Sequence, residues 1–92
     1  MANTIKKQVV LIVDDDPVTR MLMTQSLTSS ELQIVEAASG EEAIIQFTTH
    51  KPDITLLDVS MPGMNGFECC AQLRALPKGA ECAIVMVTAL DD

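Results

Sequence analysis

The fold is decided by residues 9–17, VVLIVDDDP. The first five residues of this stretch are apolar and mostly β-branched, which is typical of a strand buried on both faces of a sheet. Three acidic residues follow at once, and the last of them, Asp16, is placed to cap a helix that begins at Pro17. The stretch therefore predicts a buried strand that leads through an acidic turn into a helix.

The same alternation of strand and helix continues along the chain. Further strands are predicted at residues 33–37, 54–57 and 83–87 because these runs are short, apolar and bounded by turn residues. Ser39 with Glu42, and Asn65 with Glu68, have the spacing of helix-capping pairs and predict the starts of two more helices. The resulting order βαβαβαβ, with right-handed crossovers, predicts an α/β fold whose parallel sheet carries helices on both faces.

Apolar spacing predicts which face of each helix packs on the sheet. In the first helix this face is predicted to contain Val18, Met21 and Leu22, with Leu27 further on, and the helix is predicted to end at Ser29-Ser30. In the third helix the predicted face contains Phe67, Cys70 and Ala71.

Composition narrows the possible functions. The chain has 92 residues, 48% of them hydrophobic, and a formal net charge of −7, which excludes an intrinsically disordered protein. An acidic surface repels phosphate backbones and anionic lipids, so no direct binding of nucleic acid and no membrane attachment is expected. Three cysteines cannot all pair, and free thiols predict a cytoplasmic protein.

Polar side chains stand where the predicted strands end. Asp14 and Asp15 follow the first strand, Asp58 the third and Thr88 the fourth. If the strand order is 2-1-3-4, the first and third strands are neighbours about 4.8 Å apart, and their three carboxylates share one small pocket. Helix capping explains Asp16 but not this cluster, which predicts a Mg²⁺ site. Asp58 then becomes a candidate nucleophile, and the Thr88 hydroxyl a donor to a phosphoryl oxygen.

Three stretches carry a resemblance to a known family. They are LIVDDDP at 11–17 with Arg20 in the following helix, LLDVSMP at 56–62 followed by Asn65-Gly66, and VMVTA at 85–89. In the spacing, order and strand context of these stretches, the chain resembles the receiver domain of two-component response regulators. That resemblance implies a flavodoxin-like doubly wound parallel sheet and a signalling switch that is phosphorylated by a partner histidine kinase or phosphotransfer protein.

The resemblance also assigns roles to single residues. Asp58 would be the phospho-acceptor and Thr88 the switch hydroxyl that moves toward the phosphoryl group. Asp15 and Asp58 would bind Mg²⁺ directly, Asp14 through water, and the Ser60 backbone carbonyl would be a further ligand.

Members of this family continue through one more helix, strand and helix, which carry an invariant lysine and an aromatic switch residue. The resemblance therefore predicts that residues 1–92 are a receiver domain incomplete at its C-terminal end, without the output domain that it regulates. The fourth strand would then be an apolar sheet edge, and edges of this kind template pairing with another chain. A homodimer or a swapped oligomer is expected for this polypeptide.

Two other functions remain open from the sequence. Residues 11–18 also fit the first motif of haloacid-dehalogenase-type phosphatases, with Asp14 as nucleophile and Asp16 as general acid. In those enzymes a Ser or Thr ends the strand of the second motif, where this chain has Asp58. A docking module that keeps the fold without the switch is the third possibility. The residue that carries a trapped phosphoryl group distinguishes them: Asp58 for a receiver, Asp14 for the phosphatase, and none for the docking module.

Overall fold

The computed structural model describes residues 7–87, which form alternating strands and helices. The strands are β1 (Gln8–Val13), β2 (Leu32–Ala37), β3 (Ile54–Asp58) and β4 (Ala83–Val87), and the helices are α1 (Pro17–Leu27), α2 (Gly40–His50) and α3 (Gly66–Arg74). All strand pairs are parallel and the order is β2-β1-β3-β4, so the predicted topology is confirmed. No helix within residues 7–87 is long and apolar enough to cross a membrane.

The main core lies between the sheet and the pair α2 and α3. Because side chains alternate along a strand, Leu11 and Val13 of β1 point into this core, while Ile12 points to the opposite face. Phe47 of α2 and Leu73 of α3 are fully buried against them. On the opposite face, α1 contacts β1 and β2. The described part of the chain therefore has helices on both faces of the sheet, as predicted.

Local capping fixes where the helices begin. The Asp16 carboxylate accepts a hydrogen bond from Val18 N at 3.3 Å at the start of α1. Asn65 and Glu68 form a complete capping box at the start of α3, with bonds of 2.9 and 3.1 Å. At α2 only half of the predicted box forms. Ser39 accepts from Glu42 N at 3.1 Å, whereas the Glu42 carboxylate accepts from the N–H of Ala38, one residue before the cap.

The predicted packing face of α1 is wrong at three of its four positions, and Leu27 is half-buried. Val18, Met21 and Leu22 are 56%, 49% and 55% exposed, and none of the residues of α1 is buried. The physical reason is that α1 contacts β1 and β2, so that among residues 7–87 nothing covers the side of the helix toward β3. Leu22 lines a groove there with Leu56. The helix also ends earlier than predicted, at Leu27.

The predicted face of α3 is wrong at Phe67 and Ala71, which are exposed, whereas Cys70 is half-buried and packs against the core. Phe67 is 65% exposed, and the buried residues of the helix are Gly66, Cys69 and Leu73. The helix is rotated because its first residue, Gly66, packs directly against the backbone of the β3–α3 loop. That contact turns the face with spacing i, i+3, i+7 toward the core.

Candidate functional site

Asp14 stands directly after β1 at the carboxyl edge of the sheet. Its N–H continues the strand pairing by donating to Ala37 O at 3.1 Å, and its side chain is nearly buried, with 7% of the residue exposed. One carboxylate oxygen, Oδ1, accepts from Asp16 N at 2.9 Å. The turn that follows β1 therefore holds this carboxylate over the end of the strand.

Asp58 is the last residue of β3 and is also buried. Its Oδ1 accepts a hydrogen bond from Ser60 N at 3.2 Å. Because Val13 of β1 is the register partner of Leu57 in β3, the residues after each of them, Asp14 and Asp58, meet at the same edge.

The structure brings three predicted acids together. Asp14, Asp15 and Asp58 each offer a carboxylate oxygen, and these oxygens all lie within 4.8 Å of one another. They line an open cavity of about 270 Å³ whose described wall contains no lysine or arginine; its other lining residues are Asp16, Thr19, Ser60 and Val87. Several carboxylates around one small space, without a cationic side chain in that wall, are a donor set that fits Mg²⁺.

The pKa is raised for one acid that lines the cavity and lowered for another. Burial raises the pKa of Asp14, and the negative charges of Asp58, Asp15 and Asp16 raise it further, against the opposing hydrogen bond from Asp16 N. The pKa of Asp16 is lowered, chiefly by the hydrogen bond from the Thr19 hydroxyl. Asp16 is therefore an ionised helix cap and is poorly suited to act as a general acid.

Of the two remaining predicted site residues, the structure describes Ser60 but not Thr88. Ser60 lines the cavity and its N–H binds Asp58, as given above. Thr88 lies outside the described residues; it follows Val87, the register partner of Asp58 across β3 and β4.

Sequence reasoning identified Gly66 only as part of a turn-rich motif. A Cβ at this position would collide with the carbonyl oxygen of Asp58 and would lie 2.7 Å from the Cα of Val59. The Gly66 N–H also donates to Val59 O at 3.0 Å. The absence of a side chain thus lets α3 approach the backbone of Asp58 and Val59, and a glycine directly after a helix cap is the signal that could have shown it.

Comparison with known proteins agrees with this geometry. The sequence model of the family described as response regulator receiver domain matches residues 10–92. A probable transcriptional regulator ycf27 from Cyanophora paradoxa is 38% identical over 88 residues, covering 96% of this chain and 36% of that protein. A cyclic di-GMP phosphodiesterase from Thermotoga maritima is 41% identical over 83 residues, covering 90% of this chain and 22% of that protein.

A solved structure shares the fold. The CheX-CheY-BeF3-Mg+2 complex from Borrelia burgdorferi contains a chain that is 37% identical, with a TM-score of 0.81, over 95% of this chain and 66% of that one. The chain spans about a third or less of the length of the two curated relatives. The phosphatase alternative, with Asp14 as nucleophile and Asp16 as general acid, gains no support from these matches.

Proposed function

The chain belongs to the response regulator receiver domain family, and from this membership we propose that Asp58 accepts a phosphoryl group from a partner protein in a Mg²⁺-dependent reaction. The observation that carries the proposal is the meeting of Asp14, Asp15 and Asp58 within 4.8 Å at the carboxyl edge of the sheet. Sheet edges of this kind, where the strand order reverses, are where open α/β folds bind their ligands.

The acids of the cluster are the residues that would hold the cation. We assign Asp15 and Asp58 as direct ligands, Asp14 as a ligand through water, and the Ser60 backbone carbonyl as a fourth contact. Bound Mg²⁺ would offset the mutual repulsion of the carboxylates and the negative charge of an incoming phosphoryl group.

The hydrogen bonding of Asp58 indicates which oxygen reacts. Oδ1 accepts from Ser60 N, and we assign Oδ2 as the oxygen that reacts with phosphorus. In the proposed transfer, Oδ2 forms a bond to phosphorus while the bond between phosphorus and a histidine nitrogen of the donor breaks. The electron pair of that bond returns to the imidazole, which takes up a proton from solvent. The product is an aspartyl phosphate on Asp58 and a free histidine on the partner.

Thr88 is assigned the switch role. It directly follows β4, beside the strand that ends in Asp58. We propose that its hydroxyl donates a hydrogen bond to the phosphoryl group after transfer and so reports the phosphorylated state.

The partner is proposed to be a histidine kinase or a phosphotransfer protein. The Borrelia burgdorferi relative was solved in a CheX-CheY-BeF3-Mg+2 complex, which supports binding of a partner and a cation at this kind of domain. The regulated output differs among relatives, from a transcriptional regulator to a phosphodiesterase, so the receiver itself is proposed to switch rather than to turn over a substrate. Three free cysteines, two of them buried and one half-buried, support the cytoplasm as its location.

Chemical phosphorylation tests the proposal. Incubation with acetyl phosphate and MgCl₂ of a polypeptide in which residues 1–92 are continued by the family's last helix, strand and helix should add one phosphoryl group, and peptide mass spectrometry should find it on Asp58. The variant Asp58→Asn should lose the label. Asp53→Asn is the matched control, because Asp53 is an exposed acid at the opposite end of the sheet whose carboxylate bonds Val9 N, a bond that Asn can keep. A label that persists in Asp58→Asn, or that sits on Asp14, would contradict the proposal.

A further inference from the structure

Arg20 links the turn after β1, which carries Asp14 and Asp15, to α1 and β2. It lies in α1, and its Nη1 donates to the backbone carbonyl of Asp14 at 2.8 Å. Its Nε donates to Oε1 of Glu36 in β2 at 3.0 Å. Thr24, one turn further along α1, donates its hydroxyl to the other oxygen of Glu36, also at 3.0 Å. Glu36 thereby fixes the guanidinium that reaches the loop.

The contact with Asp14 has a consequence for the next residue. The carbonyl of Asp14 belongs to the planar peptide group that joins it to Asp15. Asp15 is exposed and follows the end of β1, so sheet packing does not orient it. The hydrogen bond from Arg20 to that carbonyl fixes the orientation of this peptide group. The orientation of the peptide group in turn sets the direction in which the Asp15 side chain extends toward Asp14 and Asp58. Arg20 is therefore the group through which α1 and β2 set the direction of Asp15.

We propose that Arg20 is a positioning residue for the cation site, and this rests on the proposed function of Asp14, Asp15 and Asp58 as Mg²⁺ ligands. A planar fork with several fixed donors can bind the Asp14 carbonyl and the Glu36 carboxylate together, whereas a lysine ammonium is a point charge without that geometry. Residues that orient metal ligands from behind typically change metal affinity by about 10–100-fold when they are replaced.

An electrostatic role and a positioning role for Arg20 predict opposite changes in Mg²⁺ affinity when Arg20 is replaced. If the guanidinium acted only through its charge, its removal would tighten Mg²⁺ binding, because a cation near the site repels another cation. If it acted only as an ion pair between α1 and β2, its removal would change stability and leave Mg²⁺ affinity unchanged. A positioning role predicts weaker Mg²⁺ binding in spite of the lost repulsion.

Magnesium titration followed by NMR separates these roles. The probe is MgCl₂, and the readout is the dissociation constant from the amide shifts of Asp14, Asp15 and Asp58, with thermal unfolding measured in parallel. Arg20→Met should weaken binding about tenfold. Arg74→Met is the matched control, since Arg74 also donates to backbone carbonyls, those of Gly79 and Cys82, away from the acidic cavity. It should bind Mg²⁺ as the parent protein does.

Two further variants complete the design. Glu36→Gln removes the ion pair but leaves Arg20 an acceptor, so affinity should change less than in Arg20→Met. Arg20→Lys keeps the charge and loses the fork, so it should also weaken binding, which keeps the test usable if Arg20→Met does not fold. Parent-like or tighter binding by Arg20→Met or Arg20→Lys overturns the inference. Absence of Mg²⁺ binding by the parent protein instead contradicts the proposed function.

Discussion

At the scale of single residues, Asp14 is an acid whose surroundings favour its protonated form. Its pKa is raised in the folded protein by burial first and by neighbouring carboxylates second. A raised folded-state pKa means that its contribution to stability is fully present below the ordinary value near 3.8 and is lost as the pH rises through the folded-state pKa. At neutral pH and without a cation, ionised Asp14 therefore destabilises the fold.

Asp14→Asn should raise the free energy of unfolding at neutral pH in EDTA, by up to about 1 kcal/mol after solvent screening. The amide oxygen can still accept from Asp16 N, so the turn is kept while the charge is removed. In Mg²⁺ the order should reverse, because the parent protein gains stability from binding and the variant gains less. Thermal unfolding in EDTA and in MgCl₂ measures both effects.

Glu31→Gln is the control for this experiment, since it removes one negative charge at an exposed position outside the acidic cavity. This substitution should not appreciably change the free energy of unfolding, either in EDTA or in MgCl₂. Lower stability of Asp14→Asn in EDTA would mean that the Asp14 carboxylate is stabilising rather than strained by its neighbours.

Adjacent cysteines offer a second test at this scale. Burial raises the pKa of the Cys69 thiol from 9.0 to about 11, and Cys70 and Glu41 add to the rise. A rise of two units leaves about a hundredfold less thiolate, the form that reacts with alkylating reagents. Iodoacetamide at pH 8 should therefore modify half-buried Cys70 well before Cys69, as mapped by peptide mass spectrometry. In urea the two rates should converge; equal rates in the native protein would contradict the burial of Cys69.

At the scale of elements, the packing of the start of α3 against the end of β3 depends on Gly66. Gly66→Ala should lower the free energy of unfolding by about 1–3 kcal/mol, because its Cβ meets the backbone of Asp58 and Val59, which cannot rotate away. The backbone shift should also reduce labelling of Asp58 by acetyl phosphate. Denaturant unfolding and the labelling assay measure the two effects.

Gly63→Ala is the comparison for Gly66→Ala. Gly63 has φ +75°, and a Cβ there meets nothing within 4 Å, so the cost is that of a left-handed backbone, about 1 kcal/mol or slightly more. Its effect should be on stability without a matching loss of label. Loss of label in Gly63→Ala but not in Gly66→Ala would contradict the assigned role of the close approach.

The starts of the helices could be predicted because their causes are local. The β-branched run of β1, Pro17 after Asp16, and the pairing of Asn65 with Glu68 each act within a few residues. The faces of α1 and α3 could not be predicted, because they depend on contacts between distant parts of the chain. Phe67 is exposed because Gly66 docks on the β3–α3 loop, a fact that apolar spacing does not contain.

The acidic cluster was predictable for a similar reason. Parallel strands bring their carboxyl ends to one edge, so strand order alone places Asp14 beside Asp58. The hydrogen bonds of Arg20 to Asp14 and Glu36 were not predictable in this way. These bonds depend on how α1 is positioned and oriented on the sheet. They also depend on the alternation of side chains along β2, which puts Glu36 on the face opposite Val35 and Ala37.

At the scale of the whole molecule, the described residues 7–87 cover only half of the face of the sheet that carries α1. Register places Glu36, Ile12, Leu56 and Val85 in one row across the four strands. The first two lie on the strands that α1 contacts, and Ile12 is fully buried. Beyond them Leu56 is partly exposed and Val85 is 48% exposed. A groove with mostly apolar side chains therefore runs along α1 at the β3 side.

The edge of the sheet lies beside this groove. Within residues 7–87, β4 pairs with β3 and with no other strand, and its sequence AIVMV carries no charge. An apolar, unprotected edge presents unpaired backbone groups to a second chain. We propose that the 92-residue polypeptide associates with a second copy of itself through β4 and the adjoining groove.

Light scattering at micromolar concentration should therefore find the 92-residue polypeptide larger than a monomer. The net charge of −7 opposes association, so added salt should promote it by screening that repulsion. Val85→Lys, which puts a charge at the edge and in the row beside the groove, should shift the population toward monomer. Ile45→Lys is the matched control, because Ile45 is 64% exposed on α2, across the sheet from α1. A monodisperse monomer with a cooperative thermal transition would show that neither the β4 edge nor the groove drives association.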